Sequence, residues 1–134
     1  MTPKIFLTIA GPLLILLGIL GLTGILGTIS DLAFFHPPYW INWVHLLLGI
    51  SISIIALKGG SKLQNWVVLF PAVVATTMGL LGLLLGRYAA VRFTIPELAD
   101  PSDHTAHLIV GICAIWAWRN RNWSKTETTL PRRT

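Results

Sequence analysis

The chain has 134 residues, of which 54% are hydrophobic and 11% charged, and its formal net charge is +5. Soluble domains carry roughly 25% charged residues, so this composition excludes an ordinary soluble domain and indicates an integral membrane protein. The basic residues are spread between apolar segments rather than forming one patch, so nucleic acid is excluded as a partner. The single cysteine, Cys113, excludes an internal disulfide.

Four apolar segments predict four transmembrane helices, each judged against the ~20 residues that cross a bilayer. The first segment exceeds the roughly 7 to 15 residues of a signal-peptide core, so we interpret it as a retained span. The second and fourth are short, but tryptophans near their ends are typical of the headgroup layer. The predicted single membrane domain, 1–134, has spans at 5–29, 40–57, 66–86 and 103–118 and a basic tail at 119–134.

The distribution of basic residues predicts the orientation of these spans. Eight of the ten Lys and Arg residues lie on the side shared by the N-terminus, the 58–64 loop and the tail, whereas Arg87 and Arg92 lie on the other. The excess places both termini in the cytoplasm, with the 30–39 and 87–102 loops outside. We therefore predict a bacterial inner membrane protein, in a cytoplasmic or a thylakoid membrane.

Small residues form a stripe along the first and third spans. Because lipid provides no hydrophobic drive between helices, such stripes favour helix association through close backbone approach. The residues fall at steps of three and four: Gly18, Gly21, Gly24 and Gly27 in the first span, and Ala72, Ala75, Gly79, Gly82 and Gly86 in the third.

Two pairs of motifs indicate that a helical hairpin has been duplicated. HLLLGIS at His45 returns as HLIVGIC at His107, and GILGL at Gly18 returns as GLLGL at Gly79, at offsets of sixty-two and sixty-one positions. Both hairpins start from the same side, which predicts a parallel repeat. The predicted fold class is an all-α, integral membrane four-helix bundle made of two tandem hairpins.

The repeat places His45 and His107 at equal depth near the outer boundary. Gly49 and Gly111 lie one turn deeper on the same faces and leave space beside each ring, for another helix or for a flat cofactor. Two rings related by a pseudo-twofold axis could hold a haem or another porphyrin-type pigment, with Arg92 available to a propionate. Covalent haem attachment is excluded because the chain has no C-x-x-C-H motif.

Each of these histidines has a polar neighbour on its own helix face. Asn42 precedes His45 by three positions and Asp103 precedes His107 by four, so each can orient a ring nitrogen. The structural alternatives are a neutral imidazole that bonds across helices, and an Asp103 that only favours a helix start.

A metal site is a weaker possibility at the same outer end. His104 and His36 are additional imidazoles there, and a divalent metal would add Asp103 and His104, but adjacent residues point in different directions on a helix. The sequence does not indicate which metal these residues would bind.

The motifs NWVHLLLGI, GLLGLLLGRY and DPSDHTAHLIVGI together resemble a family of small bacterial four-helix membrane proteins, grouped as domain of unknown function 4383. The resemblance covers about residues 5–118, and Asn42, His45, Asp103 and His107 fall on its motif positions. It implies a four-helix membrane topology and carries no known activity.

We therefore predict a non-enzymatic membrane protein, a packing or accessory subunit of a larger assembly, because glycine faces outnumber chemically active groups. Its expected partners are the lipid bilayer and other membrane subunits or a second copy of the chain. The alternative is a cofactor-binding, electron-transfer protein that uses His45 and His107. A proton or metal-ion pathway ranks third, since no ionisable residue lies in the cytoplasmic half of the predicted spans.

Overall fold

The computed structural model describes residues 1–25, 39–93 and 101–122, and these ranges contain helices and no strand. The prediction of an all-α fold is confirmed for them. The four helices are α1 (Pro3–Leu22), α2 (Tyr39–Lys58), α3 (Ser61–Phe93) and α4 (Pro101–Arg119), followed by a short 3₁₀ turn at Asn120–Asn122.

Three stretches of helix are long and apolar enough to cross a membrane: Pro3–Leu22, Tyr39–Lys58 and Ser61–Gly86. They agree with the first three predicted spans. Within the described residues α4 is not among them, since its 19 residues include Asp103, two histidines and Arg119. The structure thus supports a membrane protein, and the fourth span remains a prediction.

The ends of α1 follow from local chemistry. At its start the Thr2 hydroxyl accepts a hydrogen bond from the Ile5 N–H at 3.4 Å, and Pro3 occupies the first helical position, where no N–H is needed. At its end Gly24 has a φ of +72°, a left-handed conformation that terminates helices. The helix thus ends at Leu22, before the end of the predicted span at Ile29, and the last part of that span lies outside the described residues.

Gly24 therefore does not belong to the predicted small-residue stripe. A Cβ atom placed on it would meet nothing within 4 Å, unlike one on Gly18 or Gly21. Residues 26–29, with Gly27, lie outside the described residues.

The third helix is longer than predicted at both ends. Its 33 residues correspond to about 50 Å at ~1.5 Å per residue, against a hydrocarbon core of ~30 Å. The predicted 58–64 loop is reduced to Gly59 and Gly60, and residues 87–93 of the predicted 87–102 loop belong to the helix; residues 94–100 lie outside the described residues.

Gln64 explains why the turn between α2 and α3 is so short. Its side chain is buried, and its Nε2 donates to the carbonyls of Ile55, Ala56 and Gly59 at 3.3, 3.1 and 3.0 Å. The last carbonyls of a helix lack partners within it. The first turn of α3 thus caps the C-terminus of α2. The predicted 58–64 loop, which includes Gln64, does not contain this cap.

The fourth helix starts at Pro101, two residues before the predicted span. Pro101 is its first residue, where a missing N–H costs nothing, and Asp103 lies in the first turn, where the helix dipole favours a carboxylate. The helix extends slightly beyond the predicted 103–118 at both ends.

The helices pack mainly as two pairs, α1 with α2 and α3 with α4. In each pair glycines allow the two backbones to approach. A Cβ atom on Gly18 would lie 2.7 Å from the backbone nitrogen of Leu46, and one on Gly79 would lie 2.6 Å from that of Leu108. The predicted close packing through glycine is confirmed at these positions.

The apolar core lies where the two pairs meet. It uses the N-terminal halves of α1 and α3 and the C-terminal halves of α2 and α4. Leu7 and Val68 are its largest fully buried side chains. The other buried members are Phe6, Ile52, Ala56, Ala72, Ala114 and Ala117.

Alanine at Gly18 or Gly79 should destabilise the fold. Alanine gains roughly 0.5–1 kcal/mol of helix propensity, but overpacking against backbone atoms costs about 1–3 kcal/mol, so the clash should dominate. The measurement is the unfolding midpoint in mixed micelles, followed by circular dichroism. Gly60→Ala is the matched control, because nothing lies within 4 Å of that Cβ position. Equal midpoints for Gly18→Ala and Gly60→Ala would contradict the packing.

Candidate functional site

The first two turns of α2 and of α4 carry the polar side chains that the sequence predicts as candidate site residues. They lie at the end of the helix pairs opposite to the core. We call this group the polar cluster; its members are Asn42, His45, Asp103, His104 and His107.

His107 is held by Asp103, one turn earlier on α4. The ring Nδ1 lies 2.9 Å from the backbone carbonyl oxygen of Asp103 and 3.4 Å from its carboxylate Oδ1. Because a carbonyl oxygen only accepts, Nδ1 carries the proton and donates to it. A neutral His107 ring then presents its Nε2 lone pair away from Asp103. The predicted contact between Asp103 and His107 is present, and its role toward a ligand stays a prediction.

His45 lacks the partner that the sequence predicted for it. Its ring is half-buried, and its Nδ1 is buried with no hydrogen-bond partner in the described part of the chain. The Oδ1 atom of Asn42 is likewise buried without a bond. The prediction that Asn42 orients His45 was wrong, because the Asn42 amide packs against Gly21 of α1 instead.

The two candidate histidines nevertheless interact across the two helix pairs. His45 interacts electrostatically with His107 and with Asp103, although His45 belongs to the first helix pair and the other two belong to the second. The structure therefore brings His45, Asp103 and His107 to the same end of the fold.

His104 packs against the other helix of its own pair. It is buried between α3 and α4, where its imidazole contacts Gly82. Within the described residues no three His, Cys, Asp or Glu side chains are grouped to hold a metal ion. His36 and the Arg92 side chain lie outside the described residues, so their predicted roles remain predictions.

The surfaces of Gly49 and Gly111 are covered by neighbouring helices. A Cβ atom on Gly49 would lie 2.7 Å from the backbone nitrogen of Ile15 in α1, and one on Gly111 would lie 2.6 Å from that of Thr76 in α3. Of the two occupants that the sequence allowed, a helix and a flat cofactor, the structure has the helix at both positions.

Two hydroxyl groups also pack against a glycine of the paired helix, and the sequence did not predict these contacts. Ser53 of α2 packs against Gly11, and Thr76 of α3 packs against Gly111. Both hydroxyl oxygens are buried without a hydrogen-bond partner in the described ranges, whereas the Ser51 hydroxyl donates to the Leu47 carbonyl at 2.9 Å. The sequence signal that could have found them is a small polar residue facing a glycine on the paired helix.

Comparison of the chain with protein families, with characterised proteins and with solved structures finds no match.

Replacing His45 or His107 with leucine should change the stability of the protein differently. His45→Leu removes a buried nitrogen without a partner, whose desolvation costs about 1–3 kcal/mol, so its unfolding midpoint should be unchanged or higher. His107→Leu removes the bond to Asp103 and should lose about 1 kcal/mol. Both midpoints are measured by denaturation in mixed micelles. A His45→Leu protein as unstable as His107→Leu would show that His45 is hydrogen-bonded in the native protein.

Proposed function

We propose that this protein is a non-enzymatic packing or accessory subunit of a larger membrane assembly. One observation carries the proposal: the polar side chains between the helices are used to pack helices. Asn42, Ser53, Thr76 and His104 all pack against glycines of the paired helix. Groups committed to such contacts fix the pairing of helices and are not free to act on a substrate.

The outward surfaces of the helices are apolar and suit lipid or another membrane helix. On α3 the side chain of Leu84 is 69% exposed, and Phe70 and Val73 are also exposed. Soluble monomers rarely expose contiguous apolar patches beyond a few hundred Å². The two helix pairs make far fewer contacts with each other than the helices within each pair do. Most of the outer surface of each pair is therefore open to such partners.

We infer further that the two helix pairs are a tandem repeat. Gly18 and Gly79 meet equivalent residues, Leu46 and Leu108, at the offsets of sixty-one and sixty-two positions seen in the sequence. The same offsets relate Gly21 and Asn42 to Gly82 and His104, and Leu7 to Val68, both fully buried. The two helix pairs agree in their contacts as well as in their sequence motifs, which supports duplication of one hairpin.

We propose a four-span topology with both termini in the cytoplasm of a bacterial cell. Five described basic residues cluster at the core end of the fold: Lys4, Lys58, Lys62, Arg119 and Arg121. That excess supports a cytoplasmic location for this end. The resemblance to the family of unknown function is consistent with this topology and adds no activity.

A photo-crosslinking experiment tests the accessory role. A diazirine analogue of leucine at position 84 should form a discrete protein adduct in the native membrane, because Leu84 faces outward. The matched control is the same analogue at Leu7, which is fully buried and should form none. The adducts are resolved by mass after irradiation, and the assembly by native electrophoresis of gently solubilised membranes.

Lipid adducts alone at position 84, together with migration at the size of a 14.7 kDa monomer, would contradict an accessory role.

A paired-histidine ligand site is the second candidate function. It is favoured by the buried, unpartnered Nδ1 of His45 and by the electrostatic proximity of His45 and His107. The helices that cover Gly49 and Gly111 argue against a macrocycle at those glycines. Haem or pigment binding therefore ranks below the accessory role.

The absorption spectrum of gently purified protein tests this second candidate. A bound porphyrin-type group held by both rings should give a Soret band that is lost in His45→Ala and in His107→Ala. His104→Ala is the control, since His104 contacts Gly82 rather than the shared site. A colourless protein, or a band that survives both substitutions, would rule out the paired ligation.

A further inference from the structure

A cleft at the core end of the fold lies outside the polar cluster. It is formed between the first turns of α3 and the end of α4 with the following 3₁₀ turn, and its volume is about 260 Å³. The residues that line it are Lys62, Asn65, Trp66, Leu69, Trp118 and Arg121. Two cations, an amide and two indole rings thus face one space.

The Arg121 guanidinium is held in position at this cleft. Its carbon lies 3.8 Å from the centroid of the Trp118 ring, and Nη1 donates to the Trp118 carbonyl at 3.1 Å. A guanidinium has five N–H donors in a fixed plane. Stacking and one hydrogen bond orient the group and leave other donors available, which is the arrangement that suits bidentate binding of phosphate.

The charge at this end is not balanced by the described part of the chain. Asp103 is the only acidic residue that the structure describes, and it lies at the opposite end of the fold. Lys62 is exposed at the mouth of the cleft. A ligand for this space is therefore expected to be an anion.

The two tryptophans place the cleft at the boundary of the bilayer. Indole rings favour the headgroup layer because they combine an apolar body with one N–H donor. Trp66 is exposed close to the start of α3, and Trp118 precedes the last residue of α4. Basic clefts between membrane helices at this level are suited to lipid headgroups.

We propose that this cleft binds a phosphate-bearing anion, and that its source is the headgroup of an anionic phospholipid. Arg121 and Lys62 contact the phosphate, Asn65 offers its amide as a further donor, and Trp66 with Leu69 packs along the upper acyl chain. This proposal is independent of the accessory role and of the histidine pair.

Native mass spectrometry of the full chain in a neutral detergent tests the proposal. The protein is offered equal amounts of phosphatidylglycerol and phosphatidylcholine with the same acyl chains. The wild-type chain should retain phosphatidylglycerol at least several-fold more than phosphatidylcholine. The double variant Lys62→Gln with Arg121→Gln should lose this preference.

The matched control removes the same charge from the same end of the fold. Lys4→Gln with Lys58→Gln leaves the cleft intact and should keep the preference, with helix content checked by circular dichroism in each variant. Equal retention of both lipids by the wild-type chain overturns the proposal. So does an equal loss of preference in the two double variants, which would indicate a general effect of charge.

Inorganic phosphate distinguishes the source of the anion on the wild-type chain alone. If the lipid is the ligand, millimolar phosphate leaves the phosphatidylglycerol adduct in place. If phosphate displaces the adduct, the cleft is a phosphate site whose ligand is a soluble anion, and the lipid assignment is overturned.

Discussion

The fold depends on the contact between a glycine of one helix and the backbone of the helix paired with it. Lipid supplies no hydrophobic drive between membrane helices, so association relies on dispersion contacts and close approach. Gly18, Gly49, Gly79 and Gly111 each bring a neighbouring helix so near that a Cβ atom would lie under 3 Å from its backbone. The other side chains between the two helices of each pair pack around these glycine contacts.

The glycines also determine where polar side chains are placed. Asn42 and His104 are buried, and each packs against a glycine of the other helix in its pair, Gly21 or Gly82. A bulky residue at either glycine would displace the amide or the imidazole. The same contact that draws two helices together therefore engages two polar groups in helix packing, which supports the accessory role that we propose.

The two ends of the fold differ in character. At one end the helix pairs meet in an apolar core surrounded by basic residues, and Gln64 of α3 caps the C-terminus of α2. At the other end lie His45, Asp103 and His107, and His45 interacts electrostatically with the other two. The described part of the chain thus has one basic, aromatic end and one polar, histidine-bearing end.

Sequence alone determined the helical class, the three helices apolar enough to cross a membrane, the position of α2, and the contact between His107 and Asp103. These depend on composition, on hydropathy and on neighbours within one helix, which a linear pattern contains. The cap that Gln64 gives to α2 and the partners of Asn42 were decided by tertiary structure. The side chain of Gln64 and the glycines of a facing helix bring together residues that no spacing within one helix connects, so only the packed chain selects among the possible partners.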